Sequence, residues 1–229
     1  MQDQINFNKP FEFNKEVTQC FDDMLSRSIP NYEDMRNLVY KVGRNYINKD
    51  STIIDIGSSL GRGYQLFAEQ GIKVISCDIS EPMIEYQKKL FGSLENVDIR
   101  LCDICKDFPE EKADIVLSVL VLQFIPIENR QRAIRNIYNS LNKGGAAIIV
   151  EKIIGSTNEI DDILVREYYD TKANNGYSKE QIDAKRSALE FKMQPLTEEA
   201  NKDMLYNNGF SKVETFWRYL NFLGFIAVK

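Results

Sequence analysis

The chain has 229 residues, 43% of them hydrophobic and 28% charged, with a formal net charge of −5. This suffices for one α/β domain with a full core and small additions, and the acidic balance argues against a broad nucleic-acid surface. No apolar run approaches the roughly 20 residues needed to span a bilayer. The N-terminus, Met1-Gln-Asp-Gln-Ile-Asn, lacks the apolar segment of a signal peptide, so the cytoplasm is the expected compartment.

Residues 1–10 carry no pattern and are expected to be loosely held. From Asn14 to Leu25, Val17, Cys20, Phe21, Met24 and Leu25 recur at helical spacing, and Pro30 interrupts. Asn31 is the expected N-cap of a second helix, with Asp34 in its first turn and Met35, Leu38, Val39, Val42 and Tyr46 on one face. These two helices form an N-terminal cap over residues 1–49. Ile53, Ile54 and Ile56 suit a strand buried on both faces. Gly57 ends it, and Leu60, Tyr64, Phe67 and Ala68 continue at helical spacing to Gly71, the expected stop.

Val74, Ile75 and Cys77 make a second strand, ended by Asp78. Pro82 starts a helix with Met83, Ile84, Gln87, Leu90 and Phe91. Val97–Leu101 reads as a third strand ending near Asp103, and Asp114–Leu122 as a fourth with Ser118 as its polar break. Arg130–Leu141 is a helix with Ile134, Ile137, Tyr138 and Leu141 inward, and Gly144-Gly145 turns into a fifth strand, Ala146–Val150, ending at Glu151. Residues 156–208 read as about three helical segments, with Ser178 and Gln181 spaced as a capping box. Strands Lys212–Tyr219 and Asn221–Val228 follow, joined too closely for anything but an antiparallel hairpin. The expected fold is a single α/β domain over residues 1–229. Its sheet is doubly wound, mostly parallel and seven-stranded, with an N-terminal helical cap and a terminal hairpin.

The strand, glycine turn and helix around Gly57 would open a nucleotide-binding βαβ unit, where the bare backbone approaches a ligand closely. Alone, the turn is equally consistent with a tight structural connection. Asp78 lies 21 positions further on, at the end of the second strand. A carboxylate there accepts hydrogen bonds from both hydroxyls of a ribose. The competing role, capping the next helix, can be filled by Ser80. There is no histidine, which removes Ser-His and Cys-His catalysis and the commonest general base. The four cysteines, Cys20, Cys77, Cys102 and Cys105, include one close pair and no second. A four-ligand zinc site is therefore not expected, and they read as reduced thiols near strand ends.

Asp55-Ile-Gly57-Ser-Ser-Leu-Gly61 resembles the first motif of the class I S-adenosylmethionine-dependent methyltransferases. Asp78 resembles their ribose acid and Asp103 the acid beside the adenine. The resemblance is closest to the carboxy-S-adenosyl-L-methionine synthase family. It rests on Phe21 to Tyr32, Leu122-Gln-Phe124, Gly144-Gly145 through Glu151-Lys152, Ala173 to Ser178, and Lys185 to Glu190. These stretches span nearly the whole chain, including the cap and the late helices, which ordinary methyltransferases do not share.

The family resemblance implies a Rossmann-like fold, a homodimer, and conversion of S-adenosyl-L-methionine and prephenate to carboxy-S-adenosyl-L-methionine and phenylpyruvate. The product would serve a partner enzyme that modifies a tRNA wobble uridine. It implies cofactor contacts from Tyr32, Asp55, Gly57, Ser58, Ser59, Gly61, Asp78, Ile79, Asp103, Ile104 and Ser118. Ile79 and Ser118 stand where the family tends to carry asparagine. Tyr32 is expected to close over the methionine end of the cofactor. Arg186 is expected to grip the carboxylate added to it, from its own chain or from a second subunit. Ile182, Arg186, Leu189 and Met193 share one expected helix face, on which Arg186 interrupts an apolar stripe. Two other readings stay open: a methyltransferase acting on a small molecule or RNA, and a nucleotide-binding regulatory partner.

Overall fold

The first strand, β1 (Thr52–Ile56), shows how the chain is layered. Ile53 and Ile54 are neighbours in sequence and both fully buried, yet they join different cores. Side chains alternate along a strand, so a strand buried on both faces must have helices above and below it. The computed structural model describes residues 11–229, and the opening ten residues, expected to be loosely held, lie outside the described residues.

Six further strands join β1: β2 (Lys73–Asp78), β3 (Val97–Leu101), β4 (Ala113–Val119), β5 (Leu141–Lys152), β6 (Lys212–Tyr219) and β7 (Phe222–Val228). Their order across the sheet is β3-β2-β1-β4-β5-β7-β6. β7 is reversed relative to the other six strands, pairing antiparallel with β5 on one side and β6 on the other. The chain therefore starts mid-sheet, winds to one edge through β3, returns through β4 and β5, and ends in the hairpin. The loop Leu220-Asn221 turns that hairpin with Leu220 at φ 47°. An irregularity between Thr215 and Trp217 swings Phe216 across Gly224, where an added Cβ would meet the Phe216 ring at 2.6 Å.

The helices are α1 (Lys15–Ser28), α2 (Tyr32–Gly43), α3 (Gln65–Ala68), α4 (Glu81–Phe91), α5 (Ile127–Ser140), α6 (Asn158–Asn174), α7 (Lys179–Leu189) and α8 (Glu198–Asn207). α5 and α8 cover one face of the sheet through Ile134, Ile137, Met204 and Leu205. α2 covers the other through Met35 and Val39, with Tyr64, Phe67 and Trp217 beside them. A third cluster joins α1, α4 and α7 through Phe21, Met24, Met83 and Ala188.

Four local expectations change. The segment after Gly57 holds only one helical turn, α3, because the backbone from Gly61, at φ 79°, to Tyr64 runs through turns before the helix begins. β4 stops at Val119, and the expected continuation to Leu122 becomes a loop and a short 3-10 turn, with Leu120 in the left-handed region at φ 63°. Asn31 precedes α2 but sits at φ 50° and makes no side-chain cap. On α7 the buried residues are Ile182, Lys185 and Ala188, so the inward face is turned one residue from the expected stripe and Arg186 is exposed. The capping box of Ser178 and Gln181 does form.

Candidate active site

One cavity of about 560 Å³ crosses the sheet edge where the parallel strands end. It meets Asp103 and Ile104 after β3, Asp78 at the end of β2, Gly57 to Ser59 after β1, Val119 to Val121 at the end of β4, and Lys152 at the end of β5. In open α/β sheets, ligands bind beyond the carboxyl ends of the strands where the winding reverses. Here that reversal lies between β1 and β4. α1, with Phe21, Asp22, Met24 and Leu25, roofs the cavity.

The turn after β1 is fixed before any ligand arrives. Ser58 donates to the carbonyl of Cys77 through its backbone N–H at 3.0 Å. The Gln87 amide, fully buried on α4, donates to Ser58 Oγ at 3.0 Å and to the Ser59 carbonyl at 2.6 Å. Its oxygen accepts from Ser76 at 2.6 Å and from Tyr64 at 2.9 Å. Gly57 itself sits at φ 59°, and a Cβ there would meet Val121 Cγ2 at 2.6 Å. Gly57→Ala is therefore expected to cost about 1–3 kcal/mol in chemical denaturation, from backbone strain and the clash together. An unchanged midpoint would mean that the turn relaxes freely.

Asp78 is held by the backbone. Its Oδ2 accepts from the Ser59 N–H at 2.7 Å and its Oδ1 from the Ser80 N–H at 2.8 Å. Burial raises its pKa while these bonds oppose the rise. Ser80 caps α4, its Oγ accepting from Met83 N, so Asp78 is not needed for that task. A carboxylate has acceptor capacity beyond these backbone bonds, and Asp78 lines the cavity. Asp55 also lines it, and its Oδ2 is buried with no hydrogen-bond partner among the described residues. Burial, and then the charge of Asp78, push the Asp55 pKa well up. An orphaned acceptor at this depth fits a ligand that brings a donor such as an ammonium group.

Tyr32, Ser58, Ser59, Ile79, Asp103 and Ile104 line the same cavity. Asp103 accepts from the Cys105 N–H and pairs with Lys106 at 2.9 Å, and the lysine holds its carboxyl below the usual range. Three of the expected residues do not reach the cavity. Gly61 serves packing, since a Cβ there would meet Phe91 and Tyr64. Ser118 is fully buried within β4, its hydroxyl without a partner among the described residues. Arg186 points away from the cavity of its own chain and lies beside Tyr169, whose raised phenol pKa comes from burial and is opposed by that guanidinium.

Other residues of the site were not evident as such in the sequence. Glu151, at the end of β5, accepts from the backbone N–H groups of Val121, Leu122 and Gln123 at 3.3, 2.9 and 2.8 Å. Arg130, almost fully buried on α5, donates to the carbonyls of Ile125 and Gln123 at 2.8 and 3.2 Å. Together they shape the loop after β4 that floors the cavity. Arg62 reaches over the glycine turn to pair with Asp22 of α1 at 2.5 Å. A charged pair directly after the apolar run Ala146–Val150, Glu151-Lys152, was the available signal, because strand ends are where sites gather. Among the described residues, no group of His, Cys, Asp and Glu is placed to hold a metal ion, and no helix is long and apolar enough to cross a membrane.

This sheet order, with a glycine turn after β1 and an acid closing β2, is the class I methyltransferase fold with its nucleotide site. A methyltransferase-domain family model matches residues 54–149. The structure of an O-methyltransferase family protein from Burkholderia thailandensis superposes with a TM-score of 0.66 at 13% identity, covering 96% of this chain and 64% of that one. More specifically, the carboxy-S-adenosyl-L-methionine synthase of Nautilia profundicola is 36% identical over 241 residues, covering 100% of both chains. That of Staphylococcus epidermidis is 33% identical over 231 residues, covering 98% of this chain and 100% of its own length. The chain belongs to the carboxy-S-adenosyl-L-methionine synthase family.

Proposed function

We propose that the protein converts S-adenosyl-L-methionine and prephenate to carboxy-S-adenosyl-L-methionine and phenylpyruvate. The observation that carries this reading is the reach of the cavity. It does not end at the nucleotide half but continues past β4 to Lys152, Tyr168 and Phe222, which leaves room for a second molecule beside the cofactor.

Asp78 would bind the ribose hydroxyls, Asp103 and Ile104 would flank the adenine, and Asp55 with the Gly57 turn would receive the methionine part. Tyr32, buried at the roof, would close over the same end. When bound, S-adenosylmethionine supplies the sulfur-activated methyl group that becomes the carboxymethyl group of the product. Prephenate, on becoming aromatic, gives up carbon dioxide and its ring hydroxyl as hydroxide. The carbon dioxide ends on the methyl carbon, and the displaced proton leaves with the hydroxide as water. Aromatisation drives this exchange, so the chain needs no strong base of its own, in keeping with its lack of histidine. Its work is to hold two ligands in contact and to exclude water, which the apolar roof of Phe21, Met24 and Leu25 supports.

Arg186 is exposed on α7 and so is available to a second copy of the chain. In a homodimer it would reach the neighbouring cavity and grip the new carboxylate with two parallel bonds, which lysine cannot copy. Cytoplasmic location and supply of a tRNA-modifying enzyme belong to the same reading.

Mass spectrometry of the wild-type reaction with both substrates tests it. Carboxylated cofactor and phenylpyruvate are expected, whereas S-adenosylhomocysteine with a methylated acceptor would establish a methyltransferase instead. In the same assay system, Arg186→Ala should leave S-adenosylmethionine affinity near wild type. It should weaken carboxy-S-adenosylmethionine by roughly 10-fold to 100-fold, the worth of one charge-assisted pair. Equal loss for both ligands would take Arg186 out of carboxylate recognition.

A further inference from the structure

The far lobe of the cavity differs in charge from the near one. Every acid that lines the cavity, Asp22, Asp55, Asp78 and Asp103, stands on or beside the nucleotide half, and Asp22 is already paired with Arg62. Past Val121 the lining holds no carboxylate among the described residues. It holds Lys152 from β5, Lys185 from α7, Tyr168 from α6 and Phe222 from β7.

Lys152 Nζ lies 4.7 Å from the centre of the Tyr168 ring, and no hydrogen-bond acceptor reaches it among the described residues. Lys185 Nζ donates to Ser28 Oγ at 2.7 Å and to the Tyr177 hydroxyl at 3.4 Å. The Tyr168 and Phe222 rings meet edge to face at 5.4 Å and wall the same space. A ring face attracts an ammonium group but does not replace the hydrogen bonds that water gave it. The cost is visible in Lys152, whose pKa burial pulls down to about 8. Asp161 opposes that fall from a distance, but it is already engaged with the Gly155 N–H. A half-buried cation in an aromatic lobe, with no anion of the described residues against it, is built to receive one.

We infer that Lys152, with Lys185 in the same lining, forms the anchor for a carboxylate of a ring-bearing acid bound beside the cofactor. The carboxylate is the one the acid keeps through the reaction. This rests on the synthase reading for the identity of the acid and extends it to the residues that recognise it. The retained group is the better partner on energetic grounds. An ion pair to a carboxylate that must depart as neutral carbon dioxide weakens as the reaction proceeds, which favours the ground state over the transition state. A pair to the side-chain carboxylate of the pyruvyl arm keeps its strength throughout and holds the ring in place against Tyr168 and Phe222.

Calorimetry with the full chain saturated with S-adenosylhomocysteine tests this without turnover, with prephenate and phenylpyruvate as the two probes. Lys152→Met should retain cofactor affinity within about twofold and lose about tenfold or more in affinity for both probes, the worth of one buried charge-assisted bond. Lys152→Arg, which restores the charge, should recover part of the loss. Should Lys152→Met fail to bind cofactor, Lys152→Gln is compared with Lys152→Arg on the same two probes. No binding of either probe to the wild type would overturn the inference, as would equal binding to the Met variant. Loss for prephenate alone would overturn the assignment to the retained carboxylate. A wild type that binds both probes through Lys152 yet forms no carboxylated cofactor would sink the synthase reading and leave the anion site standing.

Discussion

Asp78→Ala is expected to weaken binding of S-adenosylmethionine by about two to four orders of magnitude. The side chain offers its remaining acceptor capacity to the two ribose hydroxyls, and a hydrogen bond to a charged acceptor is worth about 1.5–3 kcal/mol. Two of them therefore cover the stated range at about 1.4 kcal/mol per decade. The same substitution strips an acceptor from the Ser59 and Ser80 N–H groups, so the free protein should also lose roughly 1–3 kcal/mol of stability. The two effects separate cleanly. Affinity is measured from the folded free protein, in which the backbone bonds are already lost, so calorimetry reports the ribose contacts alone. Unchanged affinity with lowered stability would make Asp78 a purely structural clamp on the glycine turn.

The second large effect falls on Glu151. Glu151→Ala leaves the backbone amides of Val121, Leu122 and Gln123 without their acceptor. Leaving a buried donor without its acceptor costs about 1–3 kcal/mol, so with three donors affected a loss of roughly 3–5 kcal/mol is expected in chemical denaturation. Titration offers a finer test. Burial raises the Glu151 pKa from its ordinary value of 4.5 to about 8, against the pull of the three N–H groups and Arg130. Between those values the folded chain binds a proton that the unfolded chain has released, so stability falls as pH rises through the window. The slope approaches roughly 1.4 kcal/mol per pH unit where the difference is complete. Asp55 and Asp78 are raised too and act in the same direction. Glu151→Gln should remove its share of the slope and leave theirs. A variant whose stability declines with pH as steeply as the wild type would mean that Glu151 is ionised in the fold.

The inner strands β1, β2, β4 and β5 were legible because each carries a short apolar run beside a glycine or an acid, and such local marks survive any tertiary arrangement. Gly57 and Asp78 were legible for the same reason, both being bound to strand ends. The two helices of the cap, the three late helices and the hairpin follow from periodicity and from the short Leu220-Asn221 connection. The rotation of α7 was not legible. Ile182, Lys185, Ala188 and Ile182, Arg186, Leu189 are both permitted helix faces, and only the partners decide between them. Ser28 and Tyr177 receive the Lys185 ammonium, which turns Arg186 outward. Arg130 was equally hidden. It looks like one more charge on an amphipathic helix until the loop after β4 bends its carbonyls of Gln123 and Ile125 onto it. Both misses concern polar groups whose place is set by residues distant in sequence or by an irregular loop.

The walls of the cavity join the two ends of the chain. Phe11 N donates to the Ala188 carbonyl at 3.2 Å, Asn175 Nδ2 to the Arg27 carbonyl at 3.1 Å, and Lys185 to Ser28 across a sequence separation of 157 residues. Contacts between residues so far apart carry a larger loop-closure cost than the neighbouring strands of the sheet and are made later. On the ribosome, the sheet's first five strands can pair while α7 is still unmade, but the roof and the lysine lobe have nothing to close against. The order of assembly is thus written into the connectivity. A sheet with an open edge is expected first and the walled cavity last, and thermal opening should retrace the same path in reverse, shedding the cavity walls before the sheet gives way.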